Sequence, residues 1–143
     1  MKKYLFLLCF ALSSLFVSAQ TGKVVVNSKG EVLGRYVKTN AKTYTVCEQD
    51  DYDVPKAGNH IETWSAAKGQ GIVYRSGSIN GTINVRKAPN ASSPVIAKIV
   101  DPEGVPDTYP CLGKVDSWYK IRINGKSGYL RADLAEWDTI DTF

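Results

Sequence analysis

The thirteen residues Trp118-Tyr-Lys-Ile-Arg-Ile-Asn-Gly-Lys-Ser-Gly-Tyr-Leu130 constrain this chain more than any other stretch. Tyr119, Ile121 and Ile123 fall on one face of an extended strand, and Trp118, Lys120 and Arg122 on the other. That period of two is the mark of a half-buried strand. Asn124-Gly125 follows at once. A type I′ turn needs φ > 0 at both central residues, and these two types accept it most readily. Tyr129-Leu130 then closes an antiparallel hairpin. Ile83 and Val85 alternate with Asn84 and Arg86 in the same way, and the spacing predicts Val95, Ala97 and Ile99 facing inward from another strand. Lys87 to Pro94 reads as a turn-rich loop. Heptads, repeats and a long helical period are lacking. Many short strands between turns predict an all-β chain built on a small barrel.

The N-terminus speaks to the compartment. Lys2 and Lys3 precede an apolar stretch over residues 4–12, and Val17-Ser-Ala19 offers small residues for cleavage before Gln20. This is the pattern of a secretory signal peptide over residues 1–19. Ser13 and Ser14 interrupt the apolar run, short of the roughly 20 residues a membrane span requires. Cys9 lies inside that run behind Leu8, not behind the small residue a lipid-attachment site needs. The expectation is an exported protein, periplasmic or extracellular, with no membrane anchor once the leader is removed. The remaining 124 residues carry 16 basic and 14 acidic side chains. A charge so near zero argues against a nucleic-acid partner.

Cys47 and Cys111 remain after cleavage. An exported chain meets oxidising conditions, so a Cys47–Cys111 disulfide is a candidate. Closing the 64-residue separation would stabilise by about 4 kcal/mol in the chain-entropy model. Two separate buried thiols are the alternative.

The first half reads as strands at 23–27, 31–37, 43–46, 61–64 and 71–75. A turn falls at Ser28-Lys-Gly30, and Gly34 suggests a bulge. Residues 65–70 fit either a helical turn or a loop. The small polar run Ser76-Gly-Ser78 marks a boundary. The expected organisation is a leader at 1–19, an N-terminal β region at 20–76, a barrel at 77–136 and a tail at 137–143.

Several pieces of the second half occur together and in order. They are Ile83-Asn84-Val85-Arg86, Pro89, Val95 to Ile99, Trp118 to Ile121, and Asn124 to Leu130. In this the segment from about 79 to 135 resembles the bacterial Src-homology-3 domain. The resemblance implies a small barrel that binds and rarely catalyses, with peptidoglycan or a peptide as ligand. One strand departs from the family pattern. Pro106 and Pro110 interrupt Gly104-Val-Pro-Asp-Thr-Tyr-Pro110, which predicts an edge or irregular strand. Residues 20–76 resemble no family.

Catalytic constellations are absent from the sequence pattern. His60 is the single histidine, in a Gly-Asn-His context that reads as an exposed loop. Neither Cys47 nor Cys111 is spaced so as to use it as the base a nucleophilic thiol requires. No nucleophile elbow, zinc helix or phosphate-binding glycine loop is present. Glu48, Asp50, Asp51 and Asp53 lack the glycine turn and terminal glutamate of a calcium loop and read as a solvated acidic loop. No cofactor and no metal is expected, and the protein reads as a non-enzyme. The binding candidates are Trp118, Tyr109 and Tyr129, as flat anchors, and Arg86 and Lys120, as partners for carboxylates. Each has a plainer reading, as barrel packing or solvated charge. The expected partner is peptidoglycan stem peptide or another extended peptide. An envelope protein docking on the N-terminal β region is the rival.

Overall fold

The computed structural model describes residues 20–38, 44–45, 57–100 and 103–140. The expected leader at 1–19, Cys47 and the acidic residues at 48–53 lie outside the described residues. Among the described residues twelve strands follow in order: β1 Thr21–Val26, β2 Val32–Arg35, β3 Val37–Lys38, β4 Tyr44–Thr45, β5 His60–Ser65, β6 Ile72–Arg75, β7 Ile83–Arg86, β8 Val95–Ile99, β9 Thr108–Val115, β10 Trp118–Ile123, β11 Lys126–Arg131 and β12 Ala135–Asp138. Every ladder is antiparallel. They form sheets ordered β2-β1-β5, β12-β6-β9-β10-β11-β7-β8, and β3-β4. The chain is all-β, as its periodicity predicts.

The seven-stranded sheet curls around one core. Val73, Val85, Cys111, Tyr119, Ile121, Leu130 and Ala135 meet there, so six of its seven strands contribute at least one of these buried side chains, and Ile99 adds β8. Burying each large one stabilises by roughly 1.5–3 kcal/mol. The β10–β11 hairpin runs in unbroken register from Trp118 opposite Arg131 to Ile123 opposite Lys126. Its turn places Asn124 at φ 50° and Gly125 at φ 72°, both in the left-handed region.

The first hairpin is set by Asn27, whose Oδ1 accepts from the N–H of Lys29 and of Glu31, each at 2.9 Å. The β1–β2 register slips by one residue at Leu33, next to Gly34, where a bulge is expected. Residues 66–68 form a single 3-10 turn. Ser65 Oγ accepts from Ala67 N at 3.2 Å to cap it, and Ala66 enters the core.

Four features differ from expectation. The proline-bearing segment is not an edge: β9 lies between β6 and β10. Cys111 N donates to Gly71 O at 3.0 Å. Hydrogen-bonded and non-bonded pairs alternate along an antiparallel ladder, so the next pair, Pro110 opposite Ile72, asks for no donor on that side. The strand is irregular only where Leu112 drops out of register with β10. Second, Val95 is 42% exposed, not inward. A bulge at Ile96 breaks the alternation that the spacing implies. Third, the C-terminal segment does not leave as a tail at 137, because Trp137 and Asp138 complete β12, paired with β6. Fourth, His60 opens β5 and is not in a loop.

The expected boundary at Ser76-Gly77-Ser78 falls between β6 and β7, two strands of the same sheet. That connection is pinned. Buried Arg75 donates to the carbonyls of Ile79 and, at 3.0 Å, Gly81.

Candidate functional site

The hairpin register assembles a row of side chains across three adjacent strands. Arg86 on β7 lies opposite Tyr129 on β11, and Tyr129 lies opposite Lys120 on β10. Directly paired residues share a sheet face, with Cβ atoms about 5 Å apart. The face is the outer one, since Tyr119, Ile121 and Leu130 take the core side with 0% exposure. Lys120 is paired on its far side with Gly113 of β9. Glycine has no side chain, so the row is open there. One row along, Trp118 stands opposite Arg131 and Val115. Trp118, Lys120, Tyr129 and Arg86 are each partly exposed.

The charges on this face have distinct surroundings. Arg86 Nη1 donates to Ser93 O at 2.8 Å, and Ser93 Oγ accepts from Ala88 N at 2.8 Å. Arg86 therefore ties the 87–94 loop beside the face. Arg131 Nε donates to Asp133 Oδ1 at 2.9 Å, and its Nη2 meets the other carboxylate oxygen. The hydrogen bond from Arg131, with its charge, holds the Asp133 carboxyl below its usual range, while Asp133 raises Arg131. Lys120 has no salt-bridge partner among the described residues.

Four of the five binding candidates thus come together, and Tyr109 does not. Tyr109 pairs with fully buried Val73 and packs against the core. Burial, then the Asp107 charge and hydrogen bond, push its hydroxyl above the ordinary tyrosine value. Sequence reasoning passed over Arg131. The signal was present: a two-residue turn at Asn124-Gly125 sets the register, and counting back from it places Arg131 opposite Trp118.

Cys111 is a buried free thiol, its Sγ 3.7 Å from Ala66 O and 3.6 Å from Gly113 O. Burial pushes its pKa up, which disfavours the nucleophilic thiolate. Its candidate disulfide partner Cys47 is outside the described residues. His60 Nε2 lies 2.9 Å from Glu62 Oε1 on β5, on a different sheet from Cys111. Among the described residues no cluster of His, Cys, Asp and Glu could hold a metal ion. No helix among them is long and apolar enough to cross a membrane.

A face with two aromatic plates among cations grips flat or apolar groups and pairs with carboxylates. The model of the bacterial SH3 domain matches residues 81–135. This segment is therefore similar to the bacterial SH3 domain. No curated protein and no solved structure matches the chain. The SH3 match spans β7 to β11 and ends at the first residue of β12, so β6 and most of β12 extend its sheet from outside the matched segment. Bacterial SH3 domains form a family of binding modules that are usually non-catalytic, and the match suggests a binding module at residues 81–135.

Proposed function

We propose that this protein is an exported, non-catalytic binding protein whose SH3 domain recognises an extended peptide, with the stem peptide of peptidoglycan as the first substrate class. The row Arg86–Tyr129–Lys120, with Trp118 one step along, carries this reading. With strands about 5 Å apart, the row presents cation, ring and cation as one continuous strip against which an extended chain can lie. The leader-like residues 1–19 motivate export, which cell fractionation tests directly.

The binding experiment is co-sedimentation with intact peptidoglycan sacculi across a salt titration. Saturable binding that persists at moderate salt is expected. Tyr129→Ala and Trp118→Ala should each weaken it at least tenfold, as loss of an interface anchor does (about 1.4 kcal/mol or more). Wild-type retention by both variants, with unchanged melting, would remove the face from consideration.

A second reading places a protein partner on the N-terminal sheet. Leu33 on β2 and Ile61 on β5 are 44% and 41% exposed, and they are the apolar side chains this sheet offers to a partner. Leu33→Glu with Ile61→Glu should abolish co-purification of an envelope partner while leaving sacculus binding intact.

A further inference from the structure

A second site lies away from the SH3 face, where the N-terminal sheet meets the C-terminal strand. A cleft of about 530 Å³ opens between β1, the end of β2 and β12. Lys23, Arg35, Tyr36, Trp137 and Asp138 line it. Its volume falls in the range of small-ligand sites, roughly 300–1,000 Å³.

The walls are held in place. Arg35 Nη1 bonds Asp138 Oδ2 at 2.7 Å, joining β2 to β12 across 103 residues of sequence. Trp137 Nε1 donates to Gln70 O at 2.7 Å, which fixes the indole plane. Gly22 lets β1 approach β12 closely, since a Cβ there would overlap the Thr139 methyl group and touch the Trp137 ring at 3.6 Å. Tyr36 N donates to Lys23 O at 2.8 Å, and the Lys23 ammonium sits 5.9 Å from the centre of the Tyr36 ring.

The charge balance of the cleft is one carboxylate to two cations. Asp138 is engaged by Arg35 and by the N–H and hydroxyl of Thr139. Lys23 has no carboxylate partner among the described residues, and the remaining guanidinium N–H groups of Arg35 have none there. A small anion would pair with the cations, while the Tyr36 and Trp137 rings form a flat, apolar wall beside them. A peptide end supplies both components, a carboxylate for Lys23 and Arg35 and a flat amide with an apolar side chain for Tyr36 and Trp137.

We propose that this cleft binds the free carboxyl terminus of a short peptide, with Lys23 and Arg35 on the carboxylate and Trp137 and Tyr36 flanking the last residue. The site is independent of the SH3 face, so Trp118→Ala should leave it untouched.

The test is a titration of the protein with N-acetyl-leucyl-alanine, followed through the Trp137 indole N–H signal by NMR. The same peptide as its C-terminal amide is the control. Saturable movement of that signal is expected with the acid, and binding of the amide at least fivefold weaker. Lys23→Gln, a change at an exposed side chain, should weaken the acid by about fivefold, the range of one exposed ion pair. Equal response to acid and amide, no saturable response to either, or full affinity in Lys23→Gln would each overturn the proposal.

Discussion

Tyr119 does two jobs at one position. Its ring is buried in the core, with the Lys114 ammonium 5.3 Å from its centre, and its hydroxyl donates to Gln20 Oε1. Burial, assisted by nearby Cys111, pushes its pKa to about 12. The unfolded chain ionises this phenol near 10. Between those values the native state holds more protons than the unfolded one, so stability falls as pH rises. Tyr74 and Tyr109 are raised as well and add to the same trend. Urea midpoints should therefore decline as pH rises towards 12, beginning near 9, where the raised Cys111 thiol adds to the same trend. Tyr119→Phe should lower stability by about 1 kcal/mol at neutral pH through the lost hydrogen bond, and make the alkaline decline shallower. A decline of equal steepness in the variant would show that Tyr119 is not its source. At this scale the sequence revealed which residues alternate but not what lies opposite them at long range. Lys120 and Tyr129 could be paired by counting from a turn. Arg35 and Asp138, or Gln20 and Tyr119, could not, because no local pattern links residues about a hundred positions apart.

The β10–β11 hairpin separates two reasons for keeping a glycine. Gly125 sits at φ 72° with open space where a Cβ would go. Gly128 has no such backbone constraint, but a Cβ there would lie 2.5 Å from Val85 Cγ1 and 2.9 Å from Ile96 Cδ1. Gly125→Ala should cost about 1 kcal/mol, for the left-handed conformation alone. Gly128→Ala should cost more, up to about 3 kcal/mol, because a packed neighbour must move. Thermal melts of the two variants give the order, and the reverse order would refute this account. The same hairpin was the most legible element because its period, its turn and its facing strand all agree. Legibility failed where one of these was missing. Ile96 bulges, so Val95 turns outward against its spacing. Pro110 suggested an edge, because the harmless position of its missing N–H depends on pairing that only the folded sheet reveals. Trp137 and Asp138 follow a turn in so short a strand that two alternations are all the pattern available. Tyr109 was grouped with Trp118 and Tyr129 by residue type, while its ladder partner Val73 puts it on the core side.

The whole molecule is interleaved. β6 precedes the matched SH3 segment and β12 ends beyond it, yet they pair with each other and β6 pairs with β9. Ala66 and Val73 enter the same core as Tyr119 and Leu130. A fragment of residues 81–135 would uncover the first half of β9 and leave voids at Ala66 and Val73. It should show no cooperative thermal transition, whereas the full chain should melt in a single step. A sharp melt and dispersed amide signals from the fragment alone would show that the added strands are dispensable.

The close approach of Gly22 to Thr139 has a bearing on how this body is carried. Chain entering at Gln20 and chain departing after Ile140 share one pole of the molecule. A tether, tag or neighbouring domain would therefore hang from the same pivot whichever end bears it, and the Arg86–Tyr129–Lys120 face would sweep the same surroundings in either case.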